Sequence, residues 1–240
     1  MLTATVDRDD VPADVPAGVP AHVTDQVPYW VAVLTPEERS FGTRRTDPRI
    51  DTVDSSVVTE TSTQWAGTEH PSFATVLAVL AATVGAWQSN RCRSSTSGVL
   101  VDIEGNRKIE TNSDRSVLFP VRLPTTGDAD TLVAEVRRRA AAAPNYGADF
   151  GEAKYTLDSP ALARKAGAQI AFLRTARTSA VTVSDADEAL HHSLTVSYDV
   201  TEIDGVTTVD AAFRWNGRIF TRGDVDDFER FWEKTLSAFV

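Results

Sequence analysis

One cysteine, Cys92, stands in the whole chain of 240 residues. That excludes an intramolecular disulfide framework and any cysteine-rich metal site. Histidine is scarce too: the four residues are too scattered to suggest a metal centre by spacing. Basic residues are in the minority, 24 against 34 acidic ones, which leaves a net charge of -10. This balance argues against a nucleic-acid phosphate backbone or an anionic membrane as the main partner. A long apolar run is missing, since the most apolar stretch, Pro71–Gln88, is too short and alanine-rich to span a bilayer. The first residues, MLTATVDRDD, lack the basic start and apolar core of a signal peptide. The expectation is a cytoplasmic protein with one domain.

What is present centres on Pro71–Gly105. Phe73, Val76, Leu77, Leu80, Val84 and Trp87 recur at helical spacing and form one apolar face. The opposite face carries Ala74, Ala78, Ala81 and Ala82, so a neighbour can approach closely there as well. Pro71 suits a first helical turn, where its missing N–H costs nothing. A strand follows over Gly98–Glu104. In it Val99, Val101 and Ile103 point one way, and Leu100, Asp102 and Glu104 the other. The two carboxylates then share a face about 7 Å apart, at a rise of roughly 3.3 Å per residue.

Residues 1–25 are punctuated by Pro12, Pro16, Gly18 and Pro20 and read as a flexible leader to a single domain over 26–240. Gln26–Leu34 is a short helix, Thr35–Asp51 a surface loop, and Thr52–Thr61 a strand rich in β-branched residues. Ser116–Leu123 is a strand that Pro120 marks as an edge or a bulge. Asp128 or Asp130 caps a helix running through Ala143, with Leu132, Val133 and Val136 turned inward. Ala143–Tyr155 reads as a structured loop, Ser159–Ala166 as a short helix and Ala168–Leu173 as a strand. Ser193–Val200 and Val206–Trp215 form an antiparallel pair turned at Asp204-Gly205. A last helix runs from Asp224, its stripe being Val225, Phe228, Phe231, Trp232, Leu236 and Phe239. Mixed elements joined by long links favour an α/β sandwich.

The order of these pieces resembles the C-terminal half of the condensation-domain superfamily of nonribosomal peptide synthetases, the epimerization branch above all. The matching pieces run from Tyr29-Trp30 through the helix PSFATVLAVLAATVGAW to Glu104-Gly105-Asn106-Arg107-Lys108, where the family has EGHGRE. They continue with Pro120–Leu123, the segment APNYGADFGEAKY from Ala143, and the hairpin from Asp204-Gly205 to Trp215. The resemblance implies a two-layer α/β sandwich of chloramphenicol-acetyltransferase type, a mixed sheet packed against helices. It covers the second half of a full domain alone. The first half's HHxxxDG has no counterpart, because His191-His192 is followed by Ser193-Leu194-Thr195. The central histidine of EGHGRE is replaced by Asn106, RTVGWFT shrinks to Arg115-Ser116-Val117, and FNYLG becomes Phe172-Leu173-Arg174.

Epimerization needs a base to remove the α-proton of an aminoacyl thioester and an acid to return one on the other face. The resemblance puts Glu104 in the position of the base, with Asp102 and Asn106 shaping its surroundings. A dry pocket would raise the carboxylate towards working range. Glu104 also reads as an inherited strand-end residue bridged to Arg107 or Arg115. Asp102 more readily orders a loop or pairs with an arginine. If the strand extends back to them, His191 and His192 lie on opposite faces, so only one could face a site, and a surface or hydrogen-bonded role is the favoured reading. Arg137, Arg138 and Arg139 suit the helix dipole and offer a contact for an acidic carrier protein or its phosphopantetheine arm, although charge runs on helices are usually solvated.

The function implied is an accessory half-domain of nonribosomal peptide biosynthesis. It would engage carrier-bound aminoacyl or peptidyl thioesters, or the synthetase handling them, by docking or by completing a split domain. A separate N-terminal half or a second copy of the chain would complete it. The alternative is a free-standing, epimerase-like enzyme with Glu104 as base. No metal and no cofactor of its own is implied, only the phosphopantetheine arm of a partner carrier.

Overall fold

The computed structural model describes residues 20–104, 118–157, 159–174 and 187–239. Six strands form one sheet: β1 (Ser56–Gln64), β2 (Val99–Glu104), β3 (Leu118–Leu123), β4 (Ile170–Arg174), β5 (Leu194–Ile203) and β6 (Val206–Asn216). Their spatial order is β1-β6-β5-β4-β2-β3. The pairs β2/β4 and β4/β5 are parallel and the others antiparallel, so the sheet is mixed. The parallel links are long crossovers, as parallel pairing demands.

Residues in register share a face. Val101, Ile170, Leu194 and Trp215 form one buried row and Ile103, Phe172, Val196 and Phe213 the next. On these rows lie the helices α3 (Phe73–Asn90) and α7 (Arg222–Ala238). Phe73 meets the ring of Phe172, while Phe213 takes Phe228 and Trp232 edge-on at 5.7 and 5.4 Å. Such contacts add to the burial of large aromatic area.

Helix α3 is buried on nearly every side, the alanine face included. The chain turns close against it at Thr125, leaving no room for a side chain at Gly85. It starts two residues later than Pro71 suggests, because the Ser72 hydroxyl accepts the Thr75 N–H at 3.1 Å and caps it. Helix α7 starts two residues earlier than expected, through a reciprocal box between Thr221 and Asp224. Helix α4 (Ala129–Ala141) begins on the Asp128 cap and packs on α3 and β3, burying Leu132 and Val136.

Three local expectations change. Val53–Ser55 is a 3-10 turn, and the first strand runs on to Gln64. The segment from Ala143 is more ordered than a loop. After Asn145, Tyr146 and Gly147 at positive φ, it forms helix α5 (Phe150–Tyr155). Gly147 is required there, since a Cβ would lie 2.0 Å from the Phe119 ring. Thr35–Asp51 is a loop and lies largely at the surface, but it is anchored rather than loose. Phe41 and Asp51 are buried, and Gln169 of the β4 approach holds the Phe41 N–H and the Arg39 carbonyl at 2.9 and 2.8 Å.

Two short helices near the start, α1 (Ala21–Thr24) and α2 (Val27–Val33), bury Val23 and Trp30. A further one, α6 (Pro160–Ala163), packs on α2 and α5. The Thr35-Pro36 peptide is cis. Among the described residues no helix is long and apolar enough to cross a membrane.

Candidate functional site

The face of the sheet opposite α3 and α7 differs in character. Across its middle, register aligns Asp102, Ala171, Thr195 and Arg214, and one step on Leu173, Ser197 and Ala212. Asp102, Glu104, Leu173, Thr195, Ser197, Ala212 and Arg214 are only half-buried. The side chains are small or polar where the other face is aromatic. Asp102 and Glu104 belong to this face, at the C-terminal end of a strand inside the parallel part of the sheet. Open α/β sheets present ligand sites at such ends.

Asp102 has a partner that sequence spacing does not reveal. His192, just before β5, brings Nε2 to 2.8 Å from its Oδ2, with 14% and 16% of the two side chains exposed. Strand β5 begins at Leu194, so the two histidines do not alternate as strand residues; His191 is exposed. Asp102 was expected to order a loop or pair with an arginine; among the described residues its partner is a histidine. Lys154 of α5 is buried nearby, its Nζ donating to the carbonyls of Lys165 and Leu162 at 2.7 and 3.4 Å. Burial pulls its ammonium below the usual lysine range, and the Asp102 charge partly offsets this.

Glu104 marks the strand end. Its Oε2 accepts the Arg174 N–H at 3.3 Å, tying the ends of β2 and β4. On the opposite face, next along β5 from Val196, Tyr198 stacks on Phe172 at 4.8 Å. Burial pushes the Tyr198 phenol up to about 12, and the Glu104 charge adds to that shift against the opposing effect of Arg174.

No protein-family model matches the sequence, and no curated protein matches it. Solved structures do. The epimerization domain from the third module of tyrocidine synthetase B superposes with a TM-score of 0.66 at 14% identity, over 90% of this chain and 55% of that one. The X-domain from teicoplanin biosynthesis gives 0.61 at 14% identity, over 90% and 54%. The starter condensation domain of rhizomide synthetase gives 0.60 at 12% identity, over 92% and 52%. The chain has the fold of a condensation-type half-domain. It spans about half the length of these three structures.

Within this half-domain the anticipated residues fall as follows. Glu104 and Asp102 share the open face, as alternation requires. Asn106, together with Gly105, Arg107 and Arg115, lies outside the described residues. Arg137 and Arg138 are exposed on α4, and Arg138 grips Glu135 through two bonds of 2.7 and 2.6 Å. Arg139 turns inward, bonding Glu135 at 2.6 Å and the Arg122 carbonyl at 2.7 Å. These two arginines hold the Glu135 carboxyl down to about 2.

Two surface cavities of the half-domain, of about 320 and 260 Å³, lie around Phe41 and Arg93, and neither is lined by Asp102, Glu104 or His192. Sequence reasoning left open which of the two histidines faces a site and missed the pairing of His192 with Asp102. The signal available was a polar His-His pair directly before an apolar strand.

Proposed function

We propose that the chain serves nonribosomal peptide biosynthesis as the C-terminal half of a condensation- or epimerization-type domain. It engages carrier-bound aminoacyl or peptidyl thioesters, or the synthetase that handles them. The observation that carries this reading is the shared shape: about nine-tenths of the chain superposes on roughly half of an epimerization domain and of a starter condensation domain.

The open face supports the same reading. A half-buried sheet face of small polar side chains, carrying two carboxylates at a parallel-strand end, suits cover by a second half or by a loaded carrier. A separate N-terminal half or a second copy of the chain completes the domain. The exposed Arg137 and Arg138 meet the acidic surface of a carrier, whose phosphopantetheine arm brings the thioester. A docking role is favoured by one further fact, that an X-domain with this fold is found in complex with OxyB.

A second reading, proton transfer at the α-carbon with Glu104 as base, is favoured by the position of that carboxylate on the open face at the end of β2. Light scattering with and without the cognate synthetase tests the first reading. The expected result is a mass increase on mixing, or a self-associated species. A chain that stays monomeric at high concentration and ignores the synthetase contradicts it.

A further inference from the structure

At the end of β2 away from Glu104, the loop before β1 meets the loop between α3 and β2. Arginines converge there, in a chain whose net charge is -10. Most are taken up by the protein itself. Arg45 bonds the Glu38 and Gly167 carbonyls at 3.1 and 2.5 Å, and Arg122 bonds those of Val33 and Pro36 at 2.8 and 2.7 Å. Arg44 is paired with Asp51 at 2.6 Å and Arg91 with Asp224 at 2.8 Å. Two others are left over. Arg39 is exposed, and its guanidinium has no acceptor among the described residues. Arg93 has a single one, the Gly42 carbonyl at 3.3 Å.

Arg39 and Arg93 line one cavity of about 260 Å³. Five hydroxyls line it with them: Ser40 and the run Ser94, Ser95, Thr96 and Ser97. Ser95 Oγ accepts the Ser97 N–H at 3.2 Å, which leaves its own proton free to donate. The loop that carries this run is fixed at both ends. Cys92, at φ 54, closes α3 with its N–H on the Ser89 carbonyl at 3.0 Å, and the Arg93 N–H reaches the Gln88 carbonyl at 2.8 Å. Gly98, at φ 77, lies so close to the Leu123 carbonyl that no Cβ fits. The donors are thus held in place beforehand, which lowers the ordering cost of binding. Glu38 also lines the cavity, but its Oε1 accepts the Leu100 N–H at 2.6 Å, and Arg122 and Arg45 oppose its charge.

We propose that this cavity binds a small phosphoryl anion, with Arg39 and Arg93 supplying the charge and residues 94–97 the hydroxyl donors. Two free guanidinium groups and several hydroxyls offer more donors than a planar carboxylate takes up. The terminal oxygens of a phosphate accept from all round and pair with arginine two bonds at a time. The volume is below the roughly 300–1,000 Å³ of drug-sized ligand sites, which fits inorganic phosphate or a small phosphate monoester. Glu104 lies at the other end of β2, about 17 Å away at a rise of roughly 3.3 Å per residue. The cavity is therefore separate from the open face, and its role stands apart from the half-domain reading.

The test titrates the full chain with inorganic phosphate, phenyl phosphate and acetate at constant ionic strength, because exposed arginines attract any anion weakly. Calorimetry reads the binding, and backbone amide shifts read its place. Saturable one-to-one binding of both phosphates is expected, with shifts centred on residues 93–98 and no binding of acetate. Arg39→Ala and Arg93→Ala are each expected to weaken phosphate about tenfold or more, the scale of a charged hydrogen bond. Arg49→Ala, exposed on the same loop but outside the cavity, is expected to change nothing. Glu38→Gln keeps an oxygen for the Leu100 N–H and removes a like charge, so it is expected to tighten phosphate. Should Arg93→Ala unfold, Arg39→Ala and Thr96→Ala read the same loss at exposed positions.

Tighter binding of phenyl phosphate identifies a monoester as the ligand, and tighter binding of inorganic phosphate the free ion. Absence of saturable phosphate binding overturns the proposal. So does binding that acetate matches, or that Arg39→Ala and Arg93→Ala leave at the wild-type level. A loss in Arg49→Ala equal to that in Arg93→Ala also overturns it, because general surface charge would behave in that way.

Discussion

Asp51 is fully buried, and Arg44 meets it through both terminal nitrogens at 2.6 and 2.7 Å. With the Asp47 N–H added at 2.8 Å, the carboxyl is held down to about 2. A depressed carboxyl stabilises the fold above its unfolded value near 4, and that stability drains away as pH falls from about 4 towards 2. The shift corresponds to about 2 kcal/mol. Asp51→Asn is therefore expected to lose about that much stability at neutral pH in urea titrations and to flatten the acid limb between pH 4 and 2. An unchanged acid limb contradicts the assignment.

At the same scale, Glu104→Gln keeps an oxygen for the Arg174 N–H and removes the carboxylate proposed as base. It is expected to leave the melting temperature unchanged and to abolish α-carbon exchange on a loaded carrier. If it exchanges as fast as the wild type, the base lies elsewhere. Both Asp102 and Glu104 were legible as a pair, because strand alternation is a local property of the chain. The His192 partner was not. Its contact depends on the order β2-β4-β5, which no local pattern encodes.

Elements with strong periodicity, α3, α4, α7 and the β5–β6 hairpin, lie within two or three residues of their expected bounds. Their apolar positions are set by burial against this one sheet. Trp232 of α7 shows the consequence: it is fully buried and sits edge-on to Phe213 at 5.4 Å. Trp232→Ala is expected to cost about 3–5 kcal/mol by chemical denaturation, while a loss under 1 kcal/mol contradicts the packing described. Elements held by distant polar partners were less legible. Residues 35–51 look polar and turn-rich, yet Gln169, more than 120 positions away, takes up the Phe41 N–H, and the Asp51 carboxylate is filled by Arg44. Helix α5 was hidden because Gly151 within it and the preceding left-handed turn break the helical period. The turn is nonetheless specified, since Gly147 alone among residue types fits against Phe119.

At the scale of the whole molecule, one face of the sheet is sealed by aromatic packing and the other is half-open and polar. This asymmetry is what the half-domain reading explains, because a face left open in one half is the natural contact for what completes it. The mixed fold class was legible from the alternation of elements and their long links. The strand order was not, since it depends on which crossovers bring β4 and β5 beside β2. Hydrogen–deuterium exchange of the full chain, with and without the cognate synthetase's aminoacyl-loaded carrier, tests the account most directly. Protection is predicted at the ends of β2 and β4 and along β5, around Glu104, Arg174 and Ser197, with α7 unchanged. Protection confined to α7, or none anywhere at saturating carrier, would contradict it.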